Sequence, residues 1–338
     1  MNVLVTGGAG FVGSVCCEQL LAVNHEVIVL DDLSTGHREA VSDGAIFVRG
    51  DFGDAHLVRE ISREHAIEAV MHFAGETLVE KSMTDPRSYF ENNVRKSLTL
   101  LNSLLELRVD KIVFSSTAAT YGEPLATPIT EDHPKSPINA YGESKLMVEK
   151  ILEWYHRAYG LRYAAMRYFN AAGASRQLGE SHNPESHLIP RILKSALDPA
   201  QEFVIHGDTY PTPDGTCVRD YVHVLDIAQA HIQALIGLST QRCQGPYNIG
   251  SSAGHSVRQV LRAVEEVTGC KLKVRVGPVR SGDPAVLVAS HDRLRKDLGW
   301  KPRVSSIREI VQSAWEWTQR HPNGYGLSNV EPVAACRL

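Results

Sequence analysis

The sequence predicts an α/β fold, in which a doubly wound parallel sheet is combined with a smaller, interleaved C-terminal domain. Through the first half, short β-branched runs alternate with longer helical patterns, and a glycine-rich turn follows the first of these runs. This alternation is typical of βαβ units and a parallel sheet. After Asn170 the sequence becomes rich in Gly, Ser, Pro and Thr, which indicates a different, more irregular domain.

The predicted sheet strands are short apolar runs, and several are apolar throughout, as Val27-Ile28-Val29-Leu30 is. Such runs suit a sheet that is covered by helices on both faces. We predict strands over residues 2–5, 27–30, 46–48, 69–73, 112–115 and 163–168. Apolar residues at helical spacing predict helices over residues 11–23, 86–107 and 141–159.

The domain division follows from these patterns. We predict a first domain over residues 1–170, which a segment of about 219–240 rejoins, because a short strand there precedes a helical pattern. Residues 171–320 would form most of the second domain. Residues 321–338 contain Gly, Asn and Pro and are expected to form a loose tail.

Composition excludes several classes of function. The 338 residues include 35 Lys and Arg and 39 Asp and Glu, a net charge of −4, so general nucleic-acid binding is disfavoured. The six cysteines form no C-x-x-C pair and show no zinc-ligand spacing, so we predict reduced thiols and no metal site. No signal peptide or apolar run of membrane-spanning length is evident, and we expect a cytoplasmic protein without membrane partners.

A glycine motif lies between the first predicted strand and the first helix. Gly7, Gly10 and Gly13 form G-x-x-G-x-x-G, a variant of the G-x-G-x-x-G turn of Rossmann-type domains. Such glycines permit a tight turn, close approach of a pyrophosphate and packing of helix on strand. The helix that follows, whose first residues are Phe11 and Val12, would direct its free N–H groups at the phosphates. We therefore predict a dinucleotide site.

Residues at the ends of the next strands complete this predicted site. Acids after the second strand can accept hydrogen bonds from the adenosine ribose and would repel a 2′-phosphate, so NAD is favoured over NADP. Small residues after the fourth strand would let a cofactor lie against the backbone. The strand-end candidates are Asp31, Asp32, Asp51, Phe52, Phe73, Ala74 and Gly75.

A candidate acid/base pair follows the fifth strand. Tyr141 and Lys145 are four residues apart and share one face of the predicted helix. A tyrosine titrates near pH 10, and a neighbouring ammonium together with the positive nicotinamide ring would lower its pKa. Ser115 and Thr117 end the fifth strand, where the ligand crevice of such a sheet lies. Thr117 could bond a sugar hydroxyl and relay its proton.

These motifs together resemble the extended short-chain dehydrogenase/reductase family, and later strings are similar to its nucleotide-sugar 4-epimerases. The strings are FENNV at 90–94, RYFN at 167–170, PDGTCVRDYVHV at 213–224 and GDPA at 282–285. The resemblance implies an NAD-dependent isomerase of galactose metabolism that interconverts UDP-glucose and UDP-galactose through a 4-keto intermediate. It also implies a homodimer formed by the helices near 88–107 and 141–159.

The resemblance also implies roles for individual residues. It places Asn92 and Lys145 with the glycine loop and strand-end residues around NAD, and it places Tyr168 beside the nicotinamide. Residues implied to contact the UDP-hexose are Thr117, Tyr141, Asn170, His187, His206, Arg219, Arg280, Asp283 and Leu287.

Three of these positions depart from the family's best-known enterobacterial form. That form has asparagine at His187, phenylalanine against the uracil at His206, and tyrosine at Leu287. The smaller leucine would enlarge the pocket near carbon 2 of the sugar. UDP-N-acetylhexosamines or UDP-pentoses are therefore alternative substrates.

The sequence disfavours two rival functions. A 4,6-dehydratase normally carries Asp-Glu after the threonine, whereas Ala118 and Ala119 stand here. A nucleotide-sensing module without turnover commonly lacks the tyrosine or the lysine, and both are present.

Overall fold

The computed structural model describes residues 1–198, 200–279 and 283–326 of the chain. Its strands, in chain order, are β1 (Asn2–Thr6), β2 (Glu26–Asp31), β3 (Ile46–Arg49), β4 (Ala69–His72), β5 (Lys111–Thr117), β6 (Arg162–Tyr168), β7 (Asn170–Ala172), β8 (Phe203–His206), β9 (Val218–Arg219), β10 (Tyr221–His223), β11 (Gly245–Ile249), β12 (His255–Ser256), β13 (Val274–Gly277) and β14 (Val286–Leu287). The helices are α1 (Phe11–Ala22), α2 (Ala55–Glu64), α3 (Val79–Thr84), α4 (Pro86–Tyr89), α5 (Lys96–Glu106), α6 (Ala140–Tyr159), α7 (Leu188–Leu197), α8 (Val224–Ser239), α9 (Val257–Thr268), α10 (Asp292–Leu298) and α11 (Ile307–Arg320).

In these described ranges, seven parallel strands form the central sheet in the order β11-β6-β5-β4-β1-β2-β3. The chain runs outward from β1 to β3, returns to β4 on the other side of β1, and continues outward again. The β1–β4 neighbours therefore form the point at which the winding reverses, and ligands of such sheets bind there, outside the carboxyl ends of the strands. The predicted doubly wound sheet is confirmed.

Alternating residues of each strand fill two separate cores. Val3 and Val5 of β1 face a cluster that includes Leu20 of α1 and Leu235 of α8. Leu4 faces the opposite cluster, which includes residues of α2, α5 and α6. Because both faces are covered, the strands can be apolar throughout, as the sequence pattern indicated.

The helix predicted over residues 86–107 is interrupted. It consists of α4 and α5 with a π-helical segment, Phe90–Arg95, between them. π-helical turns inside α-helices are rare and occur frequently at functional sites. This one turns Asn93 into the protein, where it is buried.

The later part of the chain builds a third core from α7, α9, α11 and the strands β8 and β10. Helix α8 lies between these elements in sequence but packs on α1, and β11 joins the outer edge of the central sheet beside β6. The exact domain boundaries stay a prediction. Residues 327–338 of the predicted tail lie outside the described residues. No described helix has the length and apolar character needed to cross a membrane.

Candidate active site

A cleft of about 480 Å³ opens at the carboxyl ends of the central strands, a volume in the usual range for small-molecule sites. Most residues predicted from the sequence to bind a ligand line it. They are Gly7, Gly10, Phe11, Val12, Gly13, Asp31, Asp32, Phe52, Phe73, Ala74, Gly75, Asn92, Thr117, Tyr141, Tyr168, Asn170, His187, Arg219, Asp283 and Leu287.

The remaining candidates have other positions. Ser115 and Lys145 lie just beneath the cleft, where they support residues that line it. Asp51 instead accepts a hydrogen bond from the Gly53 amide and forms an ion pair with Lys96. His206 ends β8 and is not among the described cleft residues. Arg280 lies outside the described residues.

The glycine loop packs so tightly that side chains are excluded at two of its three positions. Gly7 has φ +74°, and a Cβ there would lie 2.4 Å from the Ala74 nitrogen. A Cβ at Gly13 would lie 2.2 Å from the Gly7 carbonyl oxygen. At Gly10, by contrast, the described protein offers only one neighbouring atom, the Gly7 oxygen at 3.5 Å. The side of Gly10 that is open to the cleft is therefore available to a closely approaching ligand.

The first turn of α1 supports binding of an anion at this loop. Gly10 is the N-cap residue, and no side chain in the described structure caps that helix end. The uncapped N–H groups and the positive end of the helix dipole favour a phosphate. The residues present therefore fit a dinucleotide.

Asp31, at the end of β2, connects the glycine loop to the next strand end. Its carboxylate accepts hydrogen bonds from the Ala9 amide at 3.0 Å and the Leu33 amide at 2.9 Å. Burial raises the pKa of this carboxyl, and the two backbone bonds oppose that shift. A fixed negative charge thus stands where an adenosine ribose is expected in this type of fold.

Tyr141 and Thr117 meet in the cleft. Tyr141 is the second residue of α6, whose N-cap Asn139 accepts a hydrogen bond from the Gly142 amide at 2.8 Å. Gly142 is required because a Cβ there would lie 2.5 Å from the Ala119 carbonyl oxygen, so α6 can approach the turn after β5. Burial raises the pKa of the Tyr141 phenol, and a hydrogen bond with Thr117 lowers it.

Lys145 is one helical turn further along α6 and is buried, with 2% of its surface exposed. Its ammonium donates a hydrogen bond to the Ser115 carbonyl oxygen at 3.0 Å, and desolvation lowers its pKa to about 8. The Lys145 charge is not among the causes that shift the pKa of Tyr141. The lowering of the Tyr141 pKa by Lys145 that the sequence led us to expect is therefore absent here, where burial raises this pKa, and a lowering by the nicotinamide charge stays a prediction.

Asn93 is a site residue that the sequence analysis missed. Its side-chain oxygen accepts a hydrogen bond from the Glu76 amide at 2.8 Å, and its side-chain nitrogen donates to the Glu76 carbonyl and the Ser144 hydroxyl at 3.0 Å. It thereby joins the cleft wall at Glu76 to the helix that carries Tyr141. The motif FENNV contains both asparagines, but only the π-helical segment shows which one points inward.

The C-terminal side of the cleft contains an ion pair between Arg219 and Asp283. The acid next to Arg219 in the sequence, Asp220, is not its partner. Asp220 is instead fully buried, accepts hydrogen bonds from Ser251 and the Ala289 amide, and has its pKa raised to about 6 by burial. Asn170 lies nearby and donates to the Asp220 carbonyl oxygen at 3.0 Å. An arginine and an acid thus both face the cleft.

Comparison with known proteins agrees with this geometry. Residues 3–250 match the model of the NAD dependent epimerase/dehydratase family. The chain belongs to this family. The resemblance predicted from the sequence is thereby confirmed.

Individual relatives match along almost their whole length. The chain is 47% identical to the UDP-glucose 4-epimerase of Lacticaseibacillus casei, over 97% of this chain and 100% of the relative. A crystal structure of a UDP-glucose 4-epimerase superposes with a TM-score of 0.94 at 45% identity and covers 97% of this chain and 100% of that one. The crystal structure of the UDP-glucose 4-epimerase from Brucella ovis, in complex with NAD, has a TM-score of 0.90 at 41% identity. This match covers 93% of this chain and 97% of that one.

Proposed function

We propose that this chain is an NAD-dependent UDP-glucose 4-epimerase, which interconverts UDP-glucose and UDP-galactose through a 4-keto intermediate. One observation carries the proposal: Tyr141, Thr117 and the glycine loop line the same cleft at the carboxyl ends of the sheet strands. The high identity to UDP-glucose 4-epimerases over nearly the full chain supports the same conclusion.

NAD, when bound, supplies the oxidation and re-reduction of the sugar carbon. Gly10, the first turn of α1 and Asp31 would hold its pyrophosphate and adenosine ribose. Tyr168 and Phe73 would border the nicotinamide end, since both line the cleft. The Tyr168 hydroxyl and the Ser115 hydroxyl lie 2.8 Å apart, which fixes the tyrosine ring at the base of the cleft.

The proton of the carbon-4 hydroxyl is transferred by Tyr141, directly or through Thr117. Thr117 is held for this task because its side-chain oxygen accepts a hydrogen bond from the Ala119 amide at 3.1 Å. Lys145, whose ammonium donates to the Ser115 carbonyl oxygen, would help to bind NAD, and the positive nicotinamide ring would favour the ionised phenol. Tyr141 returns the proton when the carbon is reduced from its other face.

Inversion requires the 4-ketose to turn over inside the cleft while the nucleotide stays bound. Arg219, Asp283 and Asn170 would hold the nucleotide sugar, with Arg280 on its diphosphate. A guanidinium is suited to bidentate contact with phosphate oxygens. Binding energy concentrated on the diphosphate leaves the sugar free to rotate.

The direct test is a coupled assay with UDP-galactose on purified protein, followed by spectroscopy of the small molecules released on denaturation. Formation of UDP-glucose together with released nicotinamide dinucleotide is the expected result. Absence of the dinucleotide, with no activity after its addition, would contradict the proposal.

The alternative substrates are UDP-N-acetylhexosamines and UDP-pentoses. Leu287 lines the cleft and is paired in register with Arg219 across β14 and β9. A leucine leaves more room than a tyrosine, which favours acceptance of a 2-acetamido group. Kinetics with UDP-N-acetylglucosamine test this point, and the absence of turnover would refute it.

We further propose a homodimer that buries the exposed faces of α5 and α6, and a cytoplasmic location. Leu98, Met147 and Trp154 on these helices are 37%, 37% and 66% exposed, which is high for large apolar side chains. Light scattering should give twice the chain mass for the protein, and the chain mass for Trp154→Lys. A monomeric unmodified protein would contradict the dimer.

A further inference from the structure

We propose that Glu180, His182 and His187 form a binding site for a divalent transition-metal ion of the Zn²⁺ class at the edge of the cleft. Glu180 and His182 lie in the segment before α7, and His187 is the N-cap residue of that helix. All three line the cleft. This site is separate from the proposed epimerisation, and metal binding to it can be measured without any UDP-sugar.

The donor atoms are close enough to share one ion. One ligand atom from each residue lies within 4.8 Å of the other two. Ligand atoms bound to Zn²⁺ at about 2.0–2.1 Å in tetrahedral geometry lie about 3.4 Å apart. Small side-chain rotations would therefore complete the site. Two imidazoles and one carboxylate are a donor set that suits Zn²⁺ and leaves a fourth position open, here towards the cleft.

An unpartnered buried oxygen indicates that ion pairs alone do not account for the cluster. The Glu180 side chain is only 7% exposed, and one of its oxygens contacts Nδ1 of His182. Its other oxygen, Oε2, has no hydrogen-bond partner in the described structure. Nδ1 of His187 is 3.7 Å from that oxygen, which is too far for a hydrogen bond. Buried unsatisfied polar atoms are rare, and a bound ion is one of the partners that can satisfy them.

Neighbouring groups would orient the ligands. Nδ1 of His187 lies 2.8 Å from a carboxylate oxygen of Glu185, so in the neutral ring this nitrogen would donate its proton there and the other nitrogen would hold the lone pair. Histidines that bind metals usually donate their second N–H in this way. His37 contacts the Ser181 carbonyl oxygen at 2.9 Å, and the Tyr325 hydroxyl accepts from the Gly179 amide at 3.0 Å. These bonds hold the segment beside the cleft.

The test is calorimetric titration of ZnCl₂ into chelator-treated, full-length protein, in parallel with Glu180→Gln and His182→Asn variants. The matched control is His56→Asn, because His56 and Glu60 form an exposed histidine–glutamate pair on α2. We expect one ion per chain for the unmodified protein and the control, and at least tenfold weaker binding by both cluster variants. Equal affinity in all four proteins, or no binding by the unmodified protein, would overturn the proposal.

A second measurement covers the case in which a variant fails to fold. Co²⁺ added to the unmodified protein should give the intense visible bands of four-coordinate geometry, and an excess of Zn²⁺ should remove them. The weak spectrum of hexahydrated Co²⁺ would overturn the proposal without any variant.

Discussion

The cleft has two walls that are held in place by different forces. The strand-end wall consists of the glycine loop with the ends of β2 and β4, and backbone contacts fix it, such as the approach of Gly7 to Ala74. The loop wall consists of the 180–187 segment with Arg219 and Asp283. It contains two ion pairs, Glu180–His182 within the segment and Arg219–Asp283 between distant parts of the sequence. We infer that the strand-end wall is rigid, whereas the loop wall adapts to its ligand.

The largest expected effect concerns the tyrosine between the two walls. Tyr141→Phe removes the hydroxyl that transfers the proton, and turnover should fall about 10²–10⁴-fold or more. Steady-state kinetics with UDP-galactose measure this loss. The variant should retain bound dinucleotide, because the strand-end wall is unchanged. A near-normal rate would show that another group is the base.

The second prediction concerns the buried ammonium beneath the strand-end wall. The pKa of Lys145 is lowered to about 8 in the folded protein, so the unfolded chain binds more protons between about pH 8 and pH 10.5. The free energy of unfolding should therefore rise with pH in this window. In Lys145→Met this pH dependence is absent. Below pH 8 the free energy of unfolding of the variant should exceed that of the unmodified protein by on the order of 3 kcal/mol.

Urea unfolding of both dinucleotide-free proteins at several pH values measures this difference. The advantage of Lys145→Met should shrink as pH rises through the window. A difference that is independent of pH would show that the Lys145 ammonium is not desolvated.

The third prediction separates two glycines of the strand-end wall. Gly13→Ala forces a Cβ against the Gly7 carbonyl oxygen and should cost about 1–3 kcal/mol of stability. Gly10→Ala meets no such obstacle within the chain. It should keep its unfolding temperature but bind NAD at least about tenfold more weakly, because the methyl group occupies the ligand's side. Equal loss of stability in both variants would contradict this distinction.

The smallest expected effect concerns the loop wall. Arg219→Lys keeps the charge but loses the bidentate fork, so KM for UDP-galactose should rise about tenfold with little change in kcat. Steady-state kinetics measure both constants, and the bound dinucleotide should be unaffected. A fall in kcat with unchanged KM would indicate that Arg219 acts in the chemical step and not in substrate binding.

The same contrast explains what the sequence could predict. The glycine loop, Asp31 and the Tyr141–Lys145 pair depend on short spacings within a regular strand-turn-helix pattern, and such spacings can be read from the sequence. The Arg219–Asp283 pair joins residues 64 positions apart, and its formation depends on how β9 and the loop before β14 pack. The inward position of Asn93 depends on a π-helical register that no apolar periodicity reveals.

The placement of β11 has a consequence for synthesis of the chain. Strand β6 pairs with β11 along its outer edge, and β11 is translated only after the whole stretch 169–244. Until then, the amide and carbonyl groups along that edge of β6 lack their final partners, a state that invites association between nascent chains. A nascent chain that ends before residue 245 would thus be prone to aggregate. Slow translation through residues 169–244 would lengthen the time for which the nascent chain needs a chaperone.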